Sequence, residues 1–159
     1  MFDPASPVIV IHSVAHAVAA LSAAAEAGRA VTLASAPDAG ISGGPGWFGA
    51  LIAAARAAVP AAQFTALLDC GDDAGAAMAA IRAAIEGVVF TGRADVAERL
   101  ADIARQRGAR LLTARPDPAL DLGTAFFASA EALRRRCVDI IAGWVERSET
   151  HHSGNPHQQ

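Results

Sequence analysis

The stretch FTALLDCGDDAG (64–75) reads as a buried strand that stops at its working end. An apolar run ends at Asp69, Cys70 follows, and a glycine and two acids open a helix of small residues. A strand apolar on both faces that feeds directly into a helix belongs to a parallel sheet, whose faces are covered by crossover helices.

Working outward, the same alternation recurs along the chain. Strand-like runs are VIVIH (8–12), AVTLAS (30–35), FTALLDC (64–70), VVFTG (88–92) and ARLLTA (109–114). Alanine-rich helical stretches separate them, three closing on Gly28, Gly87 and Gly108, where a left-handed cap is expected. A last helix is expected from about 124 to 144. Five βα units predict a three-layer α/β domain over 1–145 with a five-stranded parallel sheet. VIVI and VVF are apolar throughout and suit the centre, whereas AVTLAS and ARLLTA carry polar or small residues and suit edges. That favours the flavodoxin-like order 2-1-3-4-5 over the alternative 3-2-1-4-5, and it places a ligand crevice at the carboxyl ends of strands 1 and 3.

Composition limits the function classes. The chain has 159 residues, 53% hydrophobic and 18% charged, which suits one globular domain. All 13 basic residues are arginines, so no lysine can form a Schiff base, serve a phosphate-binding P-loop or act as general base. A net charge of -3 argues against a nucleic-acid partner. The run Arg134, Arg135 and Arg136 reads as a solvated helix face, with a phosphate or partner patch as the alternative. Cys70 and Cys137 carry no CxxC spacing, which excludes a zinc knuckle and points to a reduced, cytoplasmic compartment. No basic n-region precedes the short apolar start, and helical stretches carry frequent charges, so neither a leader nor a membrane span is expected. The residues name no cofactor and no metal motif.

Past Glu146 the sequence ERSETHHSGNPHQQ is polar and aperiodic, and 146–159 is expected to be a disordered tail. Its His151, His152 and His157 offer metal ligands as the other reading. GWVERSETHH also resembles short translated repeats at the ends of some bacterial reading frames.

The candidate ligand-binding residues follow from the crevice. Cys70 sits before a helix start, which lowers a thiol pKa, but Asp69, Asp72 and Asp73 oppose that effect. Asp69 either faces the crevice or caps its loop by accepting backbone N–H groups; Asp72 or Asp73 is the expected N-cap. His12 ends strand 1 and can act as acid, base or anion ligand, or simply bond a neighbouring carbonyl; Ser13 is a natural N-cap. His16 is expected to face solvent, two residues off a sheet-facing stripe of Val14, Val18 and Leu21. Ser35, Thr91 and Arg115 form the crevice shoulders. Gly43, Gly44 and Gly46 in GISGGPGWFG (40–49) offer an anion cradle or a hinge, with Trp47 and Phe48 packed in the core. Cys137 lies on the apolar stripe of the last helix.

The order of elements is similar to that of response-regulator receiver domains, with Asp69, Thr91 and Arg115-Pro116 at similar places. His12-Ser13 stands where that family carries its magnesium-binding acids, and an arginine stands where it carries lysine. The resemblance therefore implies a shared fold. The expected function is binding of a small ligand, an anion among the options, by a cytoplasmic domain. The alternative is a non-catalytic interaction module that docks, on itself or on another partner, through the last helix.

Overall fold

The computed structural model describes residues 3–152. The chain is α/β, with six parallel strands and flanking helices, so the class expected from the sequence is the one adopted. Strands β1 (Val8–Val10), β2 (Val31–Ala34), β3 (Phe64–Asp69), β4 (Gly87–Val89) and β5 (Arg110–Leu112) fall within a residue of the five apolar runs. A sixth, β6 (Leu120–Asp121), arises inside RPDPALDLG, which the sequence presents as loop.

The order is β5-β4-β3-β2-β1-β6, which replaces the expected 2-1-3-4-5. Strand β2 is central, paired with β1 through Val8↔Thr32 and with β3 through Thr32↔Thr65. Its polar residues are not signs of an edge, because they bond inside the protein. Thr32 is fully buried with its hydroxyl 2.8 Å from that of Ser6. Ser35 is likewise buried and accepts from the Asp69 N–H at 3.0 Å. Strand β5 does lie at an edge, as its sequence suggests. With β6 returning beside β1, the order is that of a parallel barrel opened between β5 and β6.

Helices α1 (Val14–Ala27), α2 (Ala39–Ser42), α3 (Gly44–Ala58), α4 (Ala74–Arg82), α5 (Ala94–Gln106) and α6 (Ala130–His152) complete the chain. From β1 to β5 each strand lies beside its predecessor in one direction. Right-handed crossovers then put the connecting helices on the same face. The main apolar cluster accordingly joins Ile9, Ile11, Leu33, Leu68 and Phe90 to residues from the helices. The other face holds a separate small cluster of Val8, Val10, Ala34 and Leu67, with Leu112 against it. Alanine at 41 positions lets the helices approach the sheet and one another closely.

Local signals act largely as read. Ser13 caps α1 by accepting from the His16 N–H, and Asp73 caps α4 by accepting from Ala76. Gly28 and Gly108 take left-handed conformations after α1 and α5. Gly87 does not cap; it is the first residue of β4, and Ala84 adopts the left-handed φ of 59° instead. The last helix starts at Ala130, later than expected, and runs past Trp144 to His152. Its buried stripe of Leu133, Cys137 and Ile141 belongs to the main cluster, packed against α1. Residues 146–152 are thus helical, while His157 and the rest of 153–159 lie outside the described residues. Arg134 ties α6 to α1 through Glu26 and also pairs with Glu131, which accounts for part of the arginine run. No described helix is long and apolar enough to cross a membrane.

Candidate functional site

Residues 113–119 carry the chain from β5 at one edge of the sheet to β6 at the other, where the Ala119 N–H donates to the Val8 carbonyl at the start of β1. On the way, Arg115 turns its guanidinium onto the strand ends. Nη1 donates to Asp69 Oδ2 and Nη2 to the Ser35 carbonyl, each at 2.8 Å. Asp69 Oδ1 accepts from the N–H groups of Gly71 at 2.9 Å and Asp38 at 3.1 Å. Both oxygens of this buried carboxylate are therefore engaged within the protein. Of the two roles open to Asp69, loop capping is present, and Arg115 neutralises the charge that burial would otherwise penalise.

Cys70 is fully buried, and its thiol makes one long contact, 4.0 Å to the Leu68 carbonyl. Burial, then the negative charges of Asp69 and Asp73, push its pKa up to about 12. The thiol has the character of a small hydrophobe and not of a nucleophile. Cys137 is buried too, and burial alone raises it to about 11.

A second cluster forms where β1 meets β6. Val10 pairs with Asp121, and His12, two residues further along the chain, lies beside that acid. His12 Nε2 stands 2.7 Å from Asp121 Oδ1, which also accepts from the Gly123 N–H at 2.8 Å. A side chain on Gly123 would put a Cβ 2.6 Å from His12 Nε2, so this pairing requires glycine there. Burial pushes the Asp121 carboxyl up, but hydrogen bonds from His12 and Gly123 and the charges of His12 and Arg115 outweigh it and hold the pKa below the usual value. The His12 side chain is 26% exposed. Its Nδ1 has no partner among the described residues.

His16 lies behind this pair and is fully buried, contrary to its expected place in solvent. Helix α1 packs on α6 as well as on α3, so it has buried faces on both sides, and Val14 is the residue left half-exposed. His16 Nδ1 accepts from the His12 backbone N–H at 3.1 Å, whereas Nε2 is buried without a hydrogen-bond partner among the described residues. The ring meets His12 and Phe126 edge-on, with centroids 5.9 and 5.3 Å away. Burial lowers the His16 pKa, with the nearby His12 adding to the effect; the Phe126 backbone and Asp121 act the other way without reversing it.

The remaining candidates are dispersed. Ser13 spends its hydroxyl on the α1 cap, Asp72 is exposed beside the capping Asp73, and the exposed Thr91 bonds through its backbone N–H to the Gly71 carbonyl. Gly43 joins α2 to α3, and Gly44 and Gly46 open α3, so the glycine-rich stretch is mostly helical. Phe48 is fully buried as expected, but Trp47 is 43% exposed and rests against Gly43. The residue missed from the sequence is Asp121. The only local trace of it is the alternation in Leu120-Asp121-Leu122, which is too short to separate a strand from a loop. Among the described residues, no three His, Cys, Asp or Glu side chains are grouped to hold a metal ion.

No protein-family model matches the chain, and no curated protein matches it.

Proposed function

We propose that the chain is a small cytoplasmic α/β domain that binds a small anionic ligand at the carboxyl ends of β1 and β6. The observation that carries this reading is the His12 ring, held by Asp121 through Nε2 and partly exposed, with Nδ1 unpartnered among the described residues. A carboxylate partner at Nε2 fixes the orientation of an imidazole, and Nδ1 is the ring nitrogen left to meet a ligand. Arg115, near enough to lower the Asp121 pKa, and the first N–H groups of α1 add positive potential. The site lies at the end of the sheet where open α/β proteins bind ligands, but beside β6 and not β3, because Arg115 fills the end of β3.

The test is to follow the histidine ring signals by NMR during titration with inorganic phosphate and, separately, acetate. A saturable shift of His12 is expected by about 10 mM, where a millimolar site is mostly filled, and Gly123→Ala should abolish it. Invariant His12 signals with both anions would reject the reading.

The second reading, an interaction module working through the C-terminal helix, has one observation in its favour. Phe127, three residues before α6, is 96% exposed, and Phe126 is 47% exposed. The α6 stripe itself is covered by α1, so these two rings are what a partner would meet. Sedimentation of the wild type and of Phe127→Ser tests it; a monomer in both cases removes self-association.

A further inference from the structure

A cavity of about 490 Å³, lined by none of the residues of the His12 cluster, opens between α3 and the turn joining α4 to β4. Phe48, Ile52 and Ala53 form one wall, Ala84 and Ile85 the other, and Ala66 lies at the base. The space exists because alanines stand where larger residues would close it. Its volume is within the range of small-molecule sites, which are apolar inside with few polar groups at the mouth.

Those polar groups are Arg56 and Glu86, and they are not equivalent. Glu86 has both oxygens engaged, Oε1 by Arg56 Nη2 at 3.2 Å and Oε2 by the Ala66 N–H at 3.3 Å. Arg56 has five N–H donors and uses one, with no partner for the others among the described residues. Its guanidinium is also fixed in place, stacked 4.4 Å from the centroid of the Phe64 ring. The mouth thus offers a held, under-used donor group beside a carboxylate already bonded through both oxygens. We propose that this cavity is a second binding site, for a small molecule with an apolar body and one carboxylate, the body lying on the alanines and the carboxylate meeting Arg56.

The experiment is a titration of the full chain with octanoate, and with octanol as the uncharged counterpart, followed by backbone amide NMR. Octanoate should give saturable shifts at Ala53, Ala57, Ala84 and Ile85 and bind more tightly than octanol. Arg56→Gln should weaken octanoate about fivefold, the scale of a partly exposed charge contact, and leave octanol unchanged, which also shows that the variant is folded. Ala53→Phe, at an exposed helix position that faces the cavity, should abolish binding of both. Absence of saturable octanoate shifts at these residues would overturn the proposal. So would equal affinity for octanoate and octanol, or equal weakening of both by Arg56→Gln.

Discussion

Arg115 Nη1 stands 2.8 Å from Asp69 Oδ2, so the segment leading into β6 closes the carboxyl end of β3 with a buried ion pair. The two side chains are 23% and 6% exposed, and the pair is satisfied by three further hydrogen bonds to backbone groups. Removing one member of such a pair leaves the other charge without compensation. Asp69→Asn and Arg115→Met should each lose about 2–4 kcal/mol in urea denaturation, and the double variant less than the sum. A loss below about 0.5 kcal/mol in either variant, the level of an ordinary surface change, would show that the pair is idle.

Cys70 should resist alkylation by iodoacetamide at pH 7 to 9 in the folded chain and react only on unfolding. Its pKa is raised from 9.0 to about 12, so the folded state disfavours the thiolate that the unfolded state forms freely. The stability this confers is full below pH 9 and is lost as pH rises towards 12. Cys70→Ala should flatten that alkaline limb and cost about 1–2 kcal/mol for the small cavity. Gly40→Ala is a sharper check, because its Cβ would lie 2.5 Å from Cys70 Sγ. It should destabilise the wild type strongly and the Cys70→Ala background less, the Asp69 carbonyl 3.0 Å away keeping part of the cost in both.

His16 gives the acid limb. Its folded pKa lies below 6.5 because burial disfavours the imidazolium, so its contribution is present above pH 6.5 and lost as pH falls through the folded value. His16→Leu should reduce the stability difference between pH 7.5 and pH 5. At pH 7.5 it should change stability by no more than about 1 kcal/mol. It removes the unpartnered Nε2 donor while leaving the His12 N–H without its acceptor, and these effects oppose each other. An undiminished acid limb in the variant would assign the pH dependence to another group.

Trp144 donates from Nε1 to the Ala5 carbonyl, anchoring the N-terminal segment to α6. Trp144→Phe should cost about 1 kcal/mol and speed amide exchange at Ala5 and Ser6. Truncation after Arg147 keeps this anchor and should melt close to the full chain, because the removed residues, where described, are exposed.

Some of this protein is set by residues a few positions apart. Apolar runs of strand length alternating with alanine-rich helices, Ser13 and Asp73 at helix starts, and Gly28 and Gly108 at helix ends depend on local sterics and hydrogen bonding, so they place β1 to β5 and most helices correctly. The parallel α/β class follows, because strands covered by crossover helices must be apolar. Strand order does not follow, since it rests on pairings between distant segments. Thr32 and Ser35 look like edge residues until Ser6 and Asp69 are found bonded to them. The same holds for the site. Asp69 was legible as a buried acid needing partners, but Arg115 reaches it across 46 residues and His12 reaches Asp121 across 109. A polar side chain in a strand or loop is read correctly only when its partner is known, and only the tertiary fold brings these partners together.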